Sequence, residues 1–189
     1  VLRKLTRHVK YNDIIVPNQA GFKDKEGTIE HMYNISTIFE HNPNLKVAFL
    51  DLKKAFDTVR RDSMIEKLEK LYNVDRKTTN FIRAMYKGTH SSVKHNSRMS
   101  APIQTHLGVQ QGALTSPILF NLFINDLLMK LNECKAGCKI NDLHINNLGY
   151  ADDIALFANT NKGLQQLLNI CNDWANKWGL KFSATKTKM

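Results

Sequence analysis

Two adjacent acids, Asp152 and Asp153, lie in a short polar turn between two apolar runs of the sequence. The apolar runs cover residues 145–148 and 154–158, and this pattern predicts a hairpin with both carboxylates at its tip. An Asp-Asp pair in a loop is usually only a solvated turn. However, a third acid, Asp51, ends another apolar run. Three carboxylates at the ends of buried strands predict a site for two divalent metal ions.

The composition favours one basic domain with a polyanionic partner. The chain has 189 residues, of which 42% are hydrophobic, and this is enough to bury a single core. Lys and Arg number 27 against 17 Asp and Glu, which gives a net charge of +10. Because each phosphate neutralised by Lys or Arg releases counterions, this charge favours a nucleic acid. Simple solubility is the alternative explanation.

The cysteines and the hydropathy pattern favour a soluble, intracellular protein in the nucleus or the cytoplasm. Cys134, Cys138 and Cys171 form an odd set without a disulfide framework, which favours a reducing compartment. A zinc site of Cys134, Cys138 and His144 would have an uncommon spacing and lack a fourth ligand. No run approaches the roughly 18 apolar residues of a membrane span, so no membrane partner is expected.

Apolar residues at helical spacing predict the helices that must position these acids. The first predicted helix covers residues 28–41, a second begins at a capping box over residues 63–66, and a third ends before Gly88. A fourth begins at Ser116-Pro117, and a fifth covers residues 164–178. The 28–41 helix is expected to bury Ile29, Met32, Tyr33, Ile35 and Phe39, and the helix before Gly88 to bury Phe81, Ile82, Met85 and Tyr86. The Ser116 hydroxyl is expected to cap its helix, which should be the most buried one. The pair Trp174 and Trp178 follows the last apolar stripe and is assigned to the core.

Strands and hairpins complete an α+β arrangement in which helices back an antiparallel sheet. Strands are predicted over residues 47–50 and 180–183, and a hairpin over residues 91–107 turns at residues 96–99. Such a sheet would place the tip of the Asp152-Asp153 hairpin beside the end of the Asp51 strand.

Five stretches resemble, in order, the motifs of reverse transcriptases from retrotransposons without long terminal repeats. They are QAGF at 19–22 (a fingers motif), AFLDLKKAFD at 48–57 (motif A), GVQQGALTSP at 108–117 (motif B), YADD at 150–153 (motif C), and WGL at 178–180 with KTK at 186–188 (motif D). The chain departs from the pattern at Ser183, where relatives usually carry Asn. A second departure is Glu26-Gly27-Thr28, which replaces a more basic run.

The resemblance implies a right-hand polymerase palm with part of the fingers, within one reverse transcriptase domain over residues 1–189. About residues 1–46 would form partial fingers, and residues 47–189 would be mostly palm with a fingers insertion over about 60–110. The chain begins with Val1 and ends just after a strand-like segment, so we expect a fragment. The upstream fingers segment and the thumb are expected to be absent, and the fragment alone is expected to be inactive.

The resemblance further implies RNA-directed DNA synthesis by two-metal nucleotidyl transfer. Asp51 and Asp152 would bridge two Mg²⁺ ions, Mn²⁺ being a possible substitute, and Asp153 would be engaged more loosely. Asp57 is interpreted as structural, because it lies a helical turn beyond the strand end. Lys186 matches the motif D lysine, a candidate general acid for the pyrophosphate, and a plain surface lysine is the alternative.

Four further residues would bind substrate by the same resemblance. Phe56 would lie under the incoming sugar and exclude a 2′-hydroxyl, although an ordinary core Phe would also fit its position. Gln111 and Gly112 would lie against the sugar or the templating pair, and Tyr150 would face the primer end or the nucleotide sugar. The implied partners are an RNA template, a DNA primer and deoxynucleoside triphosphates.

Some alternatives stay open at the level of the sequence. Arg60, Arg61, Arg83 and Lys87 are candidates for phosphate contact, or are simply solvated. An intron-encoded maturase would share every motif, and a catalytically silent relic could bind nucleic acid without polymerising. An RNA-dependent RNA polymerase would share the metal acids, but Phe56 argues against it. The oligomeric state cannot be read from the sequence.

Overall fold

A computed structural model describes residues 1–23 and 28–188 of the chain. The departure noted at Glu26-Gly27 lies outside these described residues. The helices are α1 (Leu2–Tyr11), α2 (Thr28–His41), α3 (Ala55–Thr58), α4 (Arg61–Glu66), α5 (Arg76–Tyr86), α6 (Ser116–Glu133) and α7 (Asn161–Trp178). The strands are β1 (Lys46–Asp51), β2 (His90–Ser91), β3 (Lys94–His95), β4 (Arg98–Met99), β5 (Ile103–Gln104), β6 (Cys138–Ile140), β7 (Leu143–Ile145), β8 (Asn147–Tyr150) and β9 (Asp153–Ala158).

A three-stranded antiparallel sheet in the order β1-β9-β8 forms the centre of the molecule. Alternate side chains of its strands point to opposite faces, because the side-chain period of a strand is two. Leu50, Ile154 and Leu156 belong to the main core, which also includes residues of α6 and α7. The predicted α+β class, with an antiparallel sheet backed by helices, is therefore confirmed.

Helix α6 is the most buried helix of the chain, as its apolar sequence predicts. Its Leu119, Phe120, Phe123 and Leu127 are all fully buried. Burying such side chains contributes roughly 1.5–3 kcal/mol each. The predicted cap by Ser116 is wrong, because the hydroxyl of Ser116 donates to the carbonyl of Gln110 at 2.6 Å. Ser116 already lies in the first helical turn, so its side chain faces back to the preceding loop.

Helix α2 covers part of the opposite face of the sheet. Ile38 clusters there with Ala155 and Phe157, and the predicted helix over residues 28–41 is confirmed. Its predicted buried face is largely wrong, because Ile29, Met32 and Tyr33 are 78%, 69% and 72% exposed. Only the side of the helix that carries Ile35 and Ile38 meets the sheet, so the N-terminal apolar residues remain outside the core.

Helix α4 begins at Arg61, two residues before the predicted start, so the capping box at residues 63–66 is wrong. Ser63 lies inside the helix, and no side chain caps the helix at Arg60. A π-helical turn over Lys67–Leu71 follows directly. The wider turn rotates Lys67 into the core, where its side chain is 3% exposed.

Lys67 joins three helical segments through one buried ion pair. Its ammonium lies 2.6 Å from a carboxylate oxygen of Asp126 on α6 and donates to the carbonyl of Phe123 at 2.6 Å. The indole N–H of Trp174 on α7 donates to the same Asp126 oxygen at 2.8 Å. The ammonium also lies 4.2 Å from the ring centroids of Phe123 and Trp178. Trp174 is fully buried and Trp178 packs against the core, which confirms their core assignment.

The remaining predicted elements are present with three corrections. Helix α7 ends at Trp178, and Gly179 follows it with φ +73°, as expected. The hairpin turn covers only residues 96–97 instead of 96–99, because Arg98 and Met99 already pair as β4. Helix α5 buries Ile82 and Tyr86, but Phe81 and Met85 are exposed. Residues 180–183 form only a single bridge from Phe182 to Leu52 instead of a strand, because a turn follows at once. No described helix combines the length and apolar character needed to cross a membrane.

Candidate active site

The antiparallel register brings the three acids to one edge of the sheet. Asp51 ends β1 and Asp153 begins β9, and these two residues are direct partners across the strands. Asp152 precedes Asp153 in the tight turn that joins β8 to β9. Direct partners on antiparallel strands have Cβ atoms about 4.5–5.5 Å apart. Acids that are about a hundred positions apart in sequence therefore share one site.

Two of the three carboxyl groups have raised pKa values. Burial raises the pKa of Asp152, and the nearby charge of Asp51 raises it further. Burial likewise raises the pKa of Asp153, with added repulsion from Asp152 and then Asp51. Like charges in a partly buried place disfavour ionisation of each other. A bound cation would relieve this repulsion, so the site is suited to positive charge.

Lys186 supplies positive charge at the same edge. Its ammonium lies 3.0 Å from Oδ1 of Asp51, and the Lys186 side chain is 68% exposed. The hydrogen bond to Asp51 raises the pKa of Lys186, and the charges of the acids add to this effect. The segment that carries Lys186 is fixed to β1, because the backbone N–H of Ser183 donates to the carbonyl of Asp51 at 2.8 Å. The residue that departs from the family pattern thus still anchors this segment through its backbone.

The donor set fits a hard divalent cation, although no preformed cage exists among the described residues. Within residues 1–23 and 28–188, no three acidic, His or Cys side chains converge as a metal site. The zinc set of Cys134, Cys138 and His144 does not come together as such a site, and the thiol of Cys138 donates to the carbonyl of Ile145. The coupled acids Asp51, Asp152 and Asp153 offer carboxylate oxygens, which Mg²⁺ prefers.

Phe56 lies on an aromatic stack at the start of α3. Its ring stacks on Phe120 with centroids 4.5 Å apart, and Phe22 meets it edge-on at 6.2 Å. Phe56 is half-buried, so one part of the ring belongs to the core and another part remains accessible. The position is thus compatible with both the core and the sugar-contact interpretation.

The two motif B residues lie in the turn before α6. The side-chain amide of Gln111 donates to the carboxylate of Asp57 at 3.0 Å, so Asp57 orients Gln111. Gly112 has φ +83°, a conformation that glycine adopts without the steric cost of a side chain. A Cβ built at Gly112 would meet no atom within 4 Å, so the surface there is open to a ligand.

Tyr150 lines an open groove of about 410 Å³ between α2 and the edge of the sheet. The groove also includes Asp51, Asp153 and Lys186, and its floor is apolar. Tyr150 is 36% exposed, and its ring meets His31 edge-on with centroids 5.9 Å apart. The arrangement combines an acidic edge, a cation and an apolar floor in one cleft.

Two residues contribute in ways that the sequence did not indicate. Gln19 is buried and hydrogen bonds the backbone of Ala151 inside the acidic turn. In the sequence, only its position in the QAGF stretch could have pointed to it. In the structure, its full burial is itself unusual for a Gln. The guanidinium of Arg61 is already hydrogen bonded within the protein, because it donates to the carbonyls of Gly108 and Thr105 at 2.8 and 2.7 Å. This makes Arg61 a support of the motif B turn.

Comparison with known proteins gives one family over the whole chain. The family described as reverse transcriptase (RNA-dependent DNA polymerase) matches residues 1–189. A Pol polyprotein from a type-2 retrotransposable element of Drosophila melanogaster is 32% identical over 174 residues, covering 90% of this chain and 16% of that protein. A probable RNA-directed DNA polymerase from transposon BS of the same species is 28% identical, covering 92% of this chain and 20% of that protein. The chain thus spans about a fifth or less of these relatives.

Solved structures show the same fold at much lower identity. A telomerase from Candida tropicalis, in complex with a fragment of telomeric RNA, superposes with a TM-score of 0.71 at 13% identity. It covers 98% of this chain, which corresponds to 32% of that protein. A truncated apo telomerase from the same species gives a TM-score of 0.68 at 14% identity, covering 98% of this chain and 38% of that one.

Proposed function

This chain belongs to the reverse transcriptase family, and we propose on that basis that the complete protein is an RNA-directed DNA polymerase that copies a retroelement RNA. The observation that carries the proposal is the register that sets Asp51 opposite Asp153 and next to Asp152. Nucleotidyl transfer places negative charge on both the attacking and the leaving oxygen. An edge that gathers three acids, and so attracts divalent cations, is suited to stabilise that charge.

We propose that Asp51 and Asp152 would hold two Mg²⁺ ions, with Asp153 engaged more loosely, and Mn²⁺ is the alternative ion. When bound, such ions stabilise the attacking 3′ oxygen of a primer and the leaving pyrophosphate oxygen. The chain contributes a partly buried edge at which neighbouring acids repel one another. Because a bound cation would relieve this repulsion, the charge at this edge favours cation binding.

Phe56, Gln111, Gly112 and Tyr150 are proposed to bind the incoming deoxynucleoside triphosphate and the primer end. Stacking on Phe120 restricts movement of the Phe56 ring, so a 2′-hydroxyl above it would collide. The contact with Asp57 orients the Gln111 amide, and the open surface at Gly112 admits the sugar or the templating pair.

Lys186 is proposed as the general acid that protonates the leaving pyrophosphate. The ion pair with Asp51 holds its ammonium at the edge of the metal site. The contact with Asp51 raises the pKa of Lys186 and so makes its ammonium a weaker acid, and the role therefore requires that metal binding draws Asp51 away from Lys186. An amine that is protonated before the reaction can donate the proton as the pyrophosphate leaves.

The proposed partner is an RNA template paired with a DNA primer. In the proposed domain division, residues 1–46 form partial fingers and residues 47–189 are mostly palm. Residues 60–110 would form the fingers insertion. Such a duplex has an A-like shape with a wide minor groove, which proteins contact mainly through the backbone. Arg60 and Lys87 are exposed and are the better candidates for phosphate contact, since Arg61 is occupied.

Primer extension by the complete protein tests this function. A DNA primer annealed to an RNA template is incubated with deoxynucleotides and Mg²⁺, and full-length complementary DNA is expected. Chelation of Mg²⁺ with EDTA is expected to stop the extension, and added Mg²⁺ to restore it. If the purified, folded protein binds the template and primer but adds no nucleotide, the proposed function is wrong.

A further inference from the structure

The turn that carries Asp152 and Asp153 adopts a backbone conformation that needs external support. Ala151 has φ +56°, in the left-handed region that residues with a Cβ rarely adopt. Ala151 is also 6% exposed, so water has little access to its backbone groups. Buried backbone groups require hydrogen-bond partners from the protein. The supports of this turn therefore decide where the two acids point.

The side chain of Gln19 supplies both hydrogen bonds that Ala151 needs. Its Oε1 accepts the N–H of Ala151 at 2.9 Å, and its Nε2 donates to the carbonyl of Ala151 at 3.1 Å. The same Oε1 accepts the N–H of Gly21 at 2.9 Å, which fixes the amide orientation. Gln19 is 1% exposed. A side chain that is this constrained leaves the turn little freedom to rotate.

The backbone on both sides of Gln19 lies in direct contact with the turn and the strand before it. The N–H of Ala20 donates to the carbonyl of Gly149 at 3.0 Å, and the N–H of Gly149 donates to Asn18 at 2.8 Å. A Cβ at Gly21 would lie 2.2 Å from the backbone nitrogen of Ala151, which is far inside contact distance. Glycine at position 21 is therefore required for the approach that brings Gln19 within reach.

Residues 14–21, here called the strap, are held in turn by helix α6. Asn125 accepts the N–H of Val16 at 2.9 Å and donates to the carbonyl of Ile14 at 2.8 Å. One helical turn earlier, Asn121 donates to the carbonyl of Gly21 at 2.6 Å. Residues four apart lie on one helix face, so both amides meet the same segment. The strap thus connects a rigid core helix to the catalytic turn.

We propose that Gln19 is a positioning residue that fixes the orientation of Asp152 and Asp153 by gripping Ala151. The inference rests on the proposed polymerase function of the acid cluster. Without the two hydrogen bonds, the turn would relax from its left-handed conformation and move the carboxylates. A displacement of about 1 Å at a reacting centre can lower a rate by about 10²-fold.

Steady-state addition of one nucleotide by the complete protein tests this role. Gln19→Met retains the length and burial of the side chain but removes all three hydrogen bonds. We expect kcat to fall roughly 10- to 100-fold with little change in the KM for template and primer. The Mg²⁺ concentration for half-maximal extension should rise, because the acids are no longer held in place.

Thr79→Val is the matched control, since it removes the hydrogen bonds of a fully buried side chain on α5 without touching the strap or the turn. Both variants are expected to lower the melting temperature, but only Gln19→Met should change kcat and the Mg²⁺ requirement. Equal losses of kcat in the two variants would reduce Gln19 to a structural residue. If Gln19→Met does not fold, Gln19→Asn serves instead, because it keeps a neutral amide that is one methylene too short to make all three hydrogen bonds.

The positioning role of Gln19 and the polymerase function of the acid cluster can be disproved independently. If Asp152→Asn is inactive while Gln19→Met and Gln19→Asn retain the full wild-type kcat and Mg²⁺ dependence, the positioning role is wrong and the polymerase assignment stands. If Asp152→Asn retains extension, the function assigned to the acid cluster is itself wrong.

Discussion

At the scale of single residues, the site combines acids that repel one another with a lysine that partly compensates them. Asp152 and Asp153 have raised pKa values because of burial first and neighbouring charge second. Lys186 lies against Asp51 and is mostly exposed, so its ion pair is weak and easily exchanged. The same edge can therefore accept a cation without breaking a strong internal contact.

Phe56 gives the sharpest residue-scale prediction. Phe56→Ala should allow ribonucleotides, because the space of the lost ring can hold a 2′-hydroxyl. The preference for deoxynucleotides is expected to fall by about an order of magnitude or more. The measurement is the ratio of kcat/KM for dNTP and rNTP addition by the complete protein.

A matched control for Phe56→Ala is Phe81→Ala, which truncates a 53% exposed phenylalanine on α5. The control should leave sugar preference unchanged. An unchanged preference in Phe56→Ala itself would show that Phe56 serves only the core stack with Phe120.

At the scale of elements, the buried ion pair of Lys67 ties the π-helical turn to α6 and α7. Burial lowers the pKa of Lys67 to about 8, while the Asp126 carboxylate opposes this shift. The ammonium is charged at neutral pH and is surrounded by aromatic rings. Removing one member of such a pair leaves the other charge without its partner, which is strongly destabilising.

Lys67→Met is expected to lower the free energy of unfolding by about 3–5 kcal/mol at pH 7. The unfolded amine keeps its proton up to about pH 10.5, whereas the folded amine loses it above about pH 8. The unfolded state therefore binds more protons between these values, and the advantage of wild type over Lys67→Met should increase from pH 8 to pH 10. Urea unfolding at several pH values measures both effects, and a constant difference would contradict the lowered pKa.

The elements also show what a sequence can and cannot predict. Helix α7, the Asp-Asp hairpin and β1 followed from apolar periodicity, because each buries a regular face. Helix α1 was missed, since its buried residues are only Leu5 and Val9. Several apolar residues of α2 are exposed although the sequence predicts that they are buried, because periodicity identifies an apolar face without identifying what packs against it.

The features of the site that the sequence does not predict depend on contacts between residues that are far apart in the chain. The predicted antiparallel sheet places the Asp152-Asp153 turn beside the end of the Asp51 strand, as the structure confirms, yet the hydrogen bonds of Gln19 to Ala151 depend on backbone proximity. Likewise, Lys67 looks like an ordinary surface lysine in the sequence. Its burial arises from a π-helical turn that local propensity does not predict.

At the scale of the whole molecule, a chain with a net charge of +10 carries one edge at which three acids gather. The excess of Lys and Arg would attract the phosphates of the proposed template and primer, whereas the acids would concentrate cations at one place. Such a separation would let the proposed polymerase bind a polyanion while its reacting centre stays acidic.

Binding of an RNA–DNA duplex should depend strongly on salt. Each neutralised phosphate releases counterions, so an interface of about six phosphate contacts loses about 10³ in affinity between 50 and 200 mM salt. Fluorescence anisotropy with a labelled duplex measures the slope. Binding that is independent of salt would show that the basic charge only maintains solubility.

We propose that Asp51, Asp152 and Asp153 form the metal-dependent site of a reverse transcriptase. The most direct measurement is Mg²⁺-dependent primer extension on an RNA template by the complete protein carrying Asp152→Asn. Asp173→Asn, an exposed acid on α7, serves as the charge-matched control. We predict that Asp152→Asn abolishes extension while template binding stays nearly intact, and that Asp173→Asn behaves as wild type. Extension at the wild-type rate by Asp152→Asn would contradict the assignment.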